Sequence, residues 1–391
     1  MNASTGEGKV QRYRWLVLAV SFLSFVAYAF PFQEAPPLIP LIIDEFKVSH
    51  AEAGLLMSLV LIPGIFLSLP SGLLLSRYGV RKVGLLSLIA VVLGSLITAT
   101  ASSFLIVLAG RLILGIGGTF AITATSVIIA QWFPRKDLGK AMGIFAVNMP
   151  LSVIVAFPTA SILGLTYGWR FPFYVGLVIG VAAVVSFAVV IKEGPFAQQK
   201  ARWTMGEALR NFEIWKVGLI WMFFQAAALS FITWSPTLLE AFQNVPKIQA
   251  SFLATLIMWV SLFCVPVYGY LSDRAGKLKL FIIVGGPLMA SAYLVLAFTP
   301  SPLLAASILL IGITSATIPP IVAILPPEVL GPRMAGVGFG VTGMCASIGG
   351  ALAQPLIGFI LDSTRSYVLC FLWMALFPAF AAIVAYTLRT R

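Results

Sequence analysis

Two opposite charges lie inside long apolar runs of this chain. Arg111 sits about eight residues into the run 104–132, roughly 12 Å along a helix rising 1.5 Å per residue. Glu34 sits about seven residues from the end of the run 14–41, roughly 10 Å deep by the same rise. A charge that far into hydrocarbon costs at least ~2.5 kcal/mol, so each group needs a partner or a wet cavity. Guanidinium binds carboxylates and similar oxyanions bidentately, whereas a carboxyl group takes up and releases a proton. Anion recognition at Arg111 with protonation at Glu34 is the chemistry these types suggest; the plainer alternative is a static pair stapling two helices. On the helical face of Arg111 follow Gly115, Gly118, Thr119, Ile122 and Ser126, mostly small or polar, which suits a cavity wall. Tyr28, Gln33, Asn148, Gln225, Trp234 and Thr314 are further polar candidates inside apolar runs, with Thr233, Tyr268, Thr317 and Gln354 behind them.

The elements that must hold these residues are membrane helices. The chain is 60% hydrophobic and only 10% charged, too little charge for a soluble domain. Apolar runs of spanning length recur at 14–41, 51–75, 82–101, 104–132, 139–164, 171–191, 214–239, 248–271, 279–298, 303–325, 333–360 and 366–388. The short alternating segments of an outer-membrane barrel are not seen. Arg12 and Arg14 precede the first run, which reads as a retained span and not as a cleaved signal. Ser49 with Glu52, and Thr204 with Glu207, have capping-box spacing. Pro150, Pro158, Pro236, Pro266, Pro319, Pro320 and Pro355 interrupt spans. Trp15, Trp132, Trp169, Trp203 and Trp215 fall near span ends, as interfacial belts do.

Charge sets the expected orientation. Twenty of the 25 Lys and Arg lie in the tails and in alternate loops, including Arg77, Arg81, Lys82, Lys140, Arg274 and Lys279. Only Lys47, Arg170, Lys247 and Arg365 lie in the other set, so both termini are expected in the cytoplasm of an inner-membrane protein. This asymmetry accounts for the net charge of +12 without a nucleic-acid partner. Cys264, Cys345 and Cys370 lie in apolar runs and read as small core residues. His50, just past Ser49, reads as a surface residue outside the membrane. No Walker loop, nucleophile elbow or metal-ligand cluster is present, so no enzyme activity, cofactor or metal is expected.

The chain is also a duplication. GLLLSRYGVRK (Gly72–Lys82) returns as GYLSDRAGKLK (Gly269–Lys279), 197 residues on. Three other landmarks recur at offsets of 193 to 196: Pro40–Phe46 with Pro236–Phe242, Pro134–Gly143 with Pro327–Gly336, and Arg170 with Arg365. Six spans per half with one orientation are parallel repeats about an axis normal to the membrane. Arg111 and Glu34 fall opposite Ile308 and Ser230, so neither charge belongs to the repeat. In the doubled turn, Gly72 and Gly269 suit close helix contact, and Gly79 and Gly276 suit a tight reversal. Arg77 and Arg274 can pair with acids or helix C-termini across the seam between the halves.

The doubled turn resembles the signature Gly-x-Leu-x-Asp-Arg-x-Gly-Arg-Lys of the major facilitator superfamily, and RLILGIG (Arg111–Gly117) resembles that family's span-four motif. Asp273 keeps the signature's acid, whereas Ser76 replaces it in the first copy. The resemblance implies an all-α protein of twelve transmembrane helices in two six-helix bundles, 1–191 and 214–391, joined by a cytoplasmic linker, 192–213, with a short surface helix. It implies a transporter rocking between inward- and outward-open states, with Gly72, Ser76, Arg77, Gly79, Gly269, Asp273, Arg274 and Gly276 as a cytoplasmic gate. Phe231–Glu240 is similar to span seven of cyanate-porter-like members. The expected activity is proton-coupled movement of a small anionic solute by a monomer. Proton-driven efflux of amphipathic compounds and a non-transporting membrane sensor are the alternatives.

Overall fold

The computed structural model describes residues 3–195, 209–331 and 334–389; the side chains of residues 3–11, 135, 242, 273 and 301 lie outside that description. The first half folds as α1 (Ala3–Phe46), α2 (His50–Tyr78), α3 (Val80–Ala99), α4 (Phe104–Trp132), α5 (Arg135–Ala146), α6 (Asn148–Tyr167) and α7 (Phe171–Val190). The second half folds as α8 (Phe212–Gln243), α9 (Lys247–Ala275), α10 (Leu278–Phe298), α11 (Leu304–Ser315), α12 (Pro319–Leu330), α13 (Ala335–Thr364) and α14 (Tyr367–Thr387). Twelve stretches are long and apolar enough to cross a membrane, α5 with α6 forming one and α11 with α12 another. No strand occurs among the described residues. The expected surface helix around Thr204 and Glu207 falls outside the described residues.

Proline explains the two broken spans. Pro150 has no N–H for the carbonyl of Ala146, where α5 ends. Pro319 and Pro320 leave the carbonyls of Ser315 and Ala316 without helical donors, and α11 ends there. Pro158, Pro236, Pro266 and Pro355 stay inside continuous helices. At the start of α2 the capping box forms as its spacing suggests: Ser49 Oγ accepts from Glu52 N (3.1 Å), and Glu52 Oε2 accepts from Ser49 N (2.7 Å).

The helices group as two six-span bundles. In the first, α4 packs on α1, α2 and α3, and α7 on α1 and α3; in the second, α8 packs on α13 and α14, and α10 on α11 and α14. The bundles meet along α2–α13, α6–α9 and α1–α8. Small residues let the α2 and α13 backbones approach. A side chain at Gly54 would stand 2.8 Å from the backbone of Gln354 and Pro355. Gly358 lies on the His50 carbonyl, Gly350 on Leu61 and Gly340 on Leu69. Ser58 Oγ donates to the Ala351 carbonyl at 2.6 Å.

This seam runs from the start of α2 to Leu69 and stops before the doubled turn. A side chain at Gly72, or at Gly139 and Gly143 of α5, would meet nothing within 4 Å. The bundles are therefore joined at the end bearing His50 and parted at the end bearing the basic loops (below, the far end and the basic end). The close helix contact expected at Gly72 is absent, and Gly269 makes only ordinary contact with Pro320, 3.6 Å away. The expectation fails because the basic ends stand apart.

Two glycines should therefore respond oppositely. A side chain at Gly115 on α4 would stand 2.7 Å from Val60 Cα and against the Val60 carbonyl of α2. Gly115→Val should lower folding stability by about 1–3 kcal/mol, the usual range for overpacking. Gly72→Ala should raise it slightly or leave it unchanged, since alanine is the better helix former and space is open. Thermal unfolding of the detergent-solubilised protein reads both.

Candidate functional site

Arg111 is 1% exposed and reaches across the first bundle from α4. Its Nε donates to the Leu56 carbonyl of α2 (2.9 Å), Nη1 to the Pro31 carbonyl of α1 (2.7 Å) and Nη2 to the Phe32 carbonyl (3.0 Å). Nη2 also meets Met57 Sδ at 3.6 Å, and the guanidinium lies 6.0 Å from the Phe32 ring centre. Sequence explains why one carbonyl is available: Pro36 has no N–H to give Phe32 four residues before it. Arg111 supplies the missing donor, so three helices are tied by one side chain.

Glu34 does not pair with Arg111. Its carboxylate is fully buried with neither oxygen bonded within the protein. Oε2 lies beside Gly176 of α7, 3.0 Å from where a side chain would begin, with Pro31 on the same side. The turn of α1 thus sends two neighbouring groups different ways: the carbonyls of Pro31 and Phe32 toward α4, and the carboxyl of Glu34 toward α7.

The wall expected below Arg111 is partly closed. Gly115 lies against Val60, and Gly118 against the Tyr28 ring, so this part of α4 is packed. Farther toward the basic end, Thr119, Ile122 and Ser126 keep accessible surface. Thr119 Oγ1 returns to its own helix at the Gly115 carbonyl (2.9 Å), as Thr314 Oγ1 does at Leu310 (2.8 Å). Tyr28 stacks on Phe32 at 5.8 Å and is nearly buried. Gln33 is buried with both amide atoms unbonded within the protein, and Asn148 Nδ2 is likewise unbonded. Gln225 on α8 is half-buried. Trp234, fully buried, donates from Nε1 to the Gln354 carbonyl (3.1 Å), tying α8 to α13. Tyr28, Gln33, Glu34 and Arg111 thus gather around α1, while Asn148 lies on α6, Gln225 and Trp234 on α8, and Thr314 on α11.

At the basic end, Gly79 (φ +86°) and Gly276 (φ +61°) hold left-handed backbone at the two reversals. Ser76 Oγ turns back to the Leu73 carbonyl (2.8 Å), and Arg77 lies 5.3 Å from the Tyr78 ring centre. Neither Arg77 nor Arg274 makes an ion pair among the described residues, and the side chain of Asp273 lies outside them. The basic loops bind helix ends within their own halves. Arg81 Nη2 donates to the Ala188 carbonyl at the end of α7 (2.9 Å), and Lys279 Nζ to Leu388 just past α14 (3.3 Å). Among the described residues neither arginine pairs across the seam.

Sequence reading passed over Asp362 at the end of α13. The available signal was an isolated acid at a far-end helix terminus in a chain with one His, which is itself at a far-end helix start. Trp169 also departs from its expected interfacial role: it is 3% exposed and donates to Glu45 Oε2 at 2.7 Å.

Arg111→Met removes three hydrogen bonds and should cost several kcal/mol, at about 1–3 kcal/mol for each buried acceptor left bare. Adding Pro36→Ala should recover about 1 kcal/mol, because the new N–H at position 36 can take the Phe32 carbonyl. In otherwise unmodified protein, Pro36→Ala should give no comparable gain. Comparing the unfolding midpoints of the three variants checks this coupling.

A family model described as Major Facilitator Superfamily matches residues 15–246 and 241–391. A "probable nitrate transporter", NarT of Staphylococcus carnosus (strain TM300), is 23% identical over 384 residues, covering 96% of each chain. A "probable sulfoacetate transporter", SauU of Cupriavidus necator, is 23% identical over 365 residues, covering 85% of this chain and 84% of that one. Among solved structures, a bacterial homologue of the human lysosomal transporter Spinster superposes with a TM-score of 0.79 at 17% identity over 96% of each chain, a likeness of fold. With twelve spans, two bundles and a family match over nearly its whole length, the chain belongs to the Major Facilitator Superfamily and is a membrane transporter, not an enzyme.

Proposed function

We propose that this transporter carries a small oxyanion across the inner membrane by alternating access, with protons as the driving ion. Its similarity to NarT and SauU, described as transporters of nitrate and sulfoacetate, supports the solute class. The observation that carries the reading is electrostatic. Arg111 is buried, and all its partners are neutral: three carbonyls and a thioether. No carboxylate is bonded to it, so no direct ion pair neutralises this positive centre in the first bundle. In a low-dielectric interior that charge acts beyond contact distance and favours an anion entering nearby. Tyr28, Gln33, Asn148 and Gln225 are the polar side chains proposed to meet the solute, with α1 packed on both α6 and α8.

Glu34 is the proposed coupling group. A bare carboxylate in an apolar interior without hydrogen bonds is costly, so a proton accompanies this group when it is sealed as here. Opening the far end to water would let the proton leave or enter. The basic end faces the cytoplasm on this reading, as the Lys and Arg asymmetry favours, and the parted basic ends describe an inward-facing state. The moving units are 1–191 and 214–391, tied through 192–213, with Gly72 to Gly79 and Gly269 to Gly276 as the gate that closes when the basic ends meet. One chain contains both units, so a monomer suffices.

Proteoliposomes containing nitrate inside or outside test the reading. With acid imposed on the His50 side, the wild-type protein should accumulate nitrate across the membrane. Glu34→Gln should reduce accumulation to that of protein-free vesicles while nitrate–nitrate exchange continues, because exchange needs no net proton movement. Accumulation retained in Glu34→Gln would remove the residue from coupling. Export of amphipathic dyes without movement of nitrate, sulfoacetate or other oxyanions would replace the solute class.

A further inference from the structure

The start of α2 is completed by the other bundle. A helix leaves its first four N–H groups without intrahelical acceptors. Here Ser49 N donates to Glu52 Oε2, and Glu52 N to Ser49 Oγ, so the capping box fills the first and last of the four. The two between them are filled by Asp362, at the far end of α13: His50 N donates to Oδ1 (3.2 Å) and Ala51 N to Oδ2 (2.9 Å). His50 Nδ1 stands 2.7 Å from Oδ1 of the same carboxylate. One side chain of the second bundle thus receives three polar groups of the first, at the positive end of a helix of 29 residues.

The surroundings fix this contact in place. Gly358 lets α13 lie against the His50 carbonyl, where any side chain would collide. The imidazole rests 6.1 Å from the Trp234 ring of α8, and Trp234 is itself held by its bond to the Gln354 carbonyl.

We propose that Asp362, seated on the N-terminus of α2, is the latch that holds the far end of the two bundles shut. The latch must break for the far end to open, since its two halves belong to different bundles. Breaking it leaves only two N–H groups and an imidazole to be taken up by water, so the contact is reversible.

The test reads distance and involves no solute, so it stands or falls independently of the proposed transport reaction. Spin labels are attached at Ser102→Cys in the first bundle and Gln249→Cys in the second, with Cys264, Cys345 and Cys370 replaced by serine. Both labelling positions are exposed, far-end residues. In lipid nanodiscs the latched protein should show mainly a short separation. Asp362→Asn should raise the ratio of long to short roughly fivefold, the size of a lost helix cap. Ala51→Pro, which deletes one donor in a first turn where proline is tolerated, should shift the ratio the same way as Asp362→Asn and serves if that variant does not fold. Distances unchanged in Asp362→Asn or Ala51→Pro would overturn the proposal.

Discussion

Within a bilayer no water is on hand for a carbonyl that loses its helical N–H, so another donor must be built into the protein. This chain carries 24 prolines, and α1 alone contains Pro31, Pro36, Pro37 and Pro40. Arg111 answers that demand at the Phe32 carbonyl, and in doing so locks α1, α2 and α4 into one body. A rigid bundle is what rocking requires, since motion confined to the seam preserves everything inside each half. The same group leaves a fixed positive charge where a solute could use it. Structural and functional readings of Arg111 therefore do not compete: neutral carbonyls satisfy its hydrogen bonds without cancelling its charge.

The seam is built on different terms. Contact along α2 and α13 uses glycine and serine to bring the backbones close, with Leu61 and Leu69 packed over glycines of α13. The basic loops, by contrast, are fastened inside their own halves by Arg81 and Lys279. Each bundle thus holds its loop by contacts of its own.

Much of this was legible in the sequence because membrane burial leaves strong marks. Run length gave the spans, Lys and Arg bias gave a polarity, and the 197-residue echo of Gly72–Lys82 gave the duplication. The capping box at Ser49 is a local pattern, and it formed. What the sequence could not give was direction around a helix kinked by prolines. Glu34 and Arg111 have similar depth, yet one faces α7 and the other draws on carbonyls of α1 and α2. Backbone acceptors carry no residue type, so nothing in the text marked Phe32 except the proline four places on. The Gly72 contact failed for another reason: a sequence describes all states of a carrier together, and coordinates describe one.

That single state is not fully satisfied, and the shortfall bears on how the carrier works. Ser230, Thr233, Ser235 and Thr237 on α8, Gln33 on α1 and Gln354 on α13 hold buried polar atoms with no partner within the protein. Each unmet group of this kind costs about 1–3 kcal/mol. Under alternating access, as proposed above, shutting the far end would gain the α2–α13 contact and the Asp362 cap but draw these groups away from water, and opening it would reverse both effects. A carrier needs two states of comparable free energy, because a deep minimum in either would stop the cycle. On the alternating reading proposed above, the unbonded polar groups of α1, α8 and α13 are the counterweight to the seam, and replacing them with apolar residues would favour the shut state too strongly for turnover.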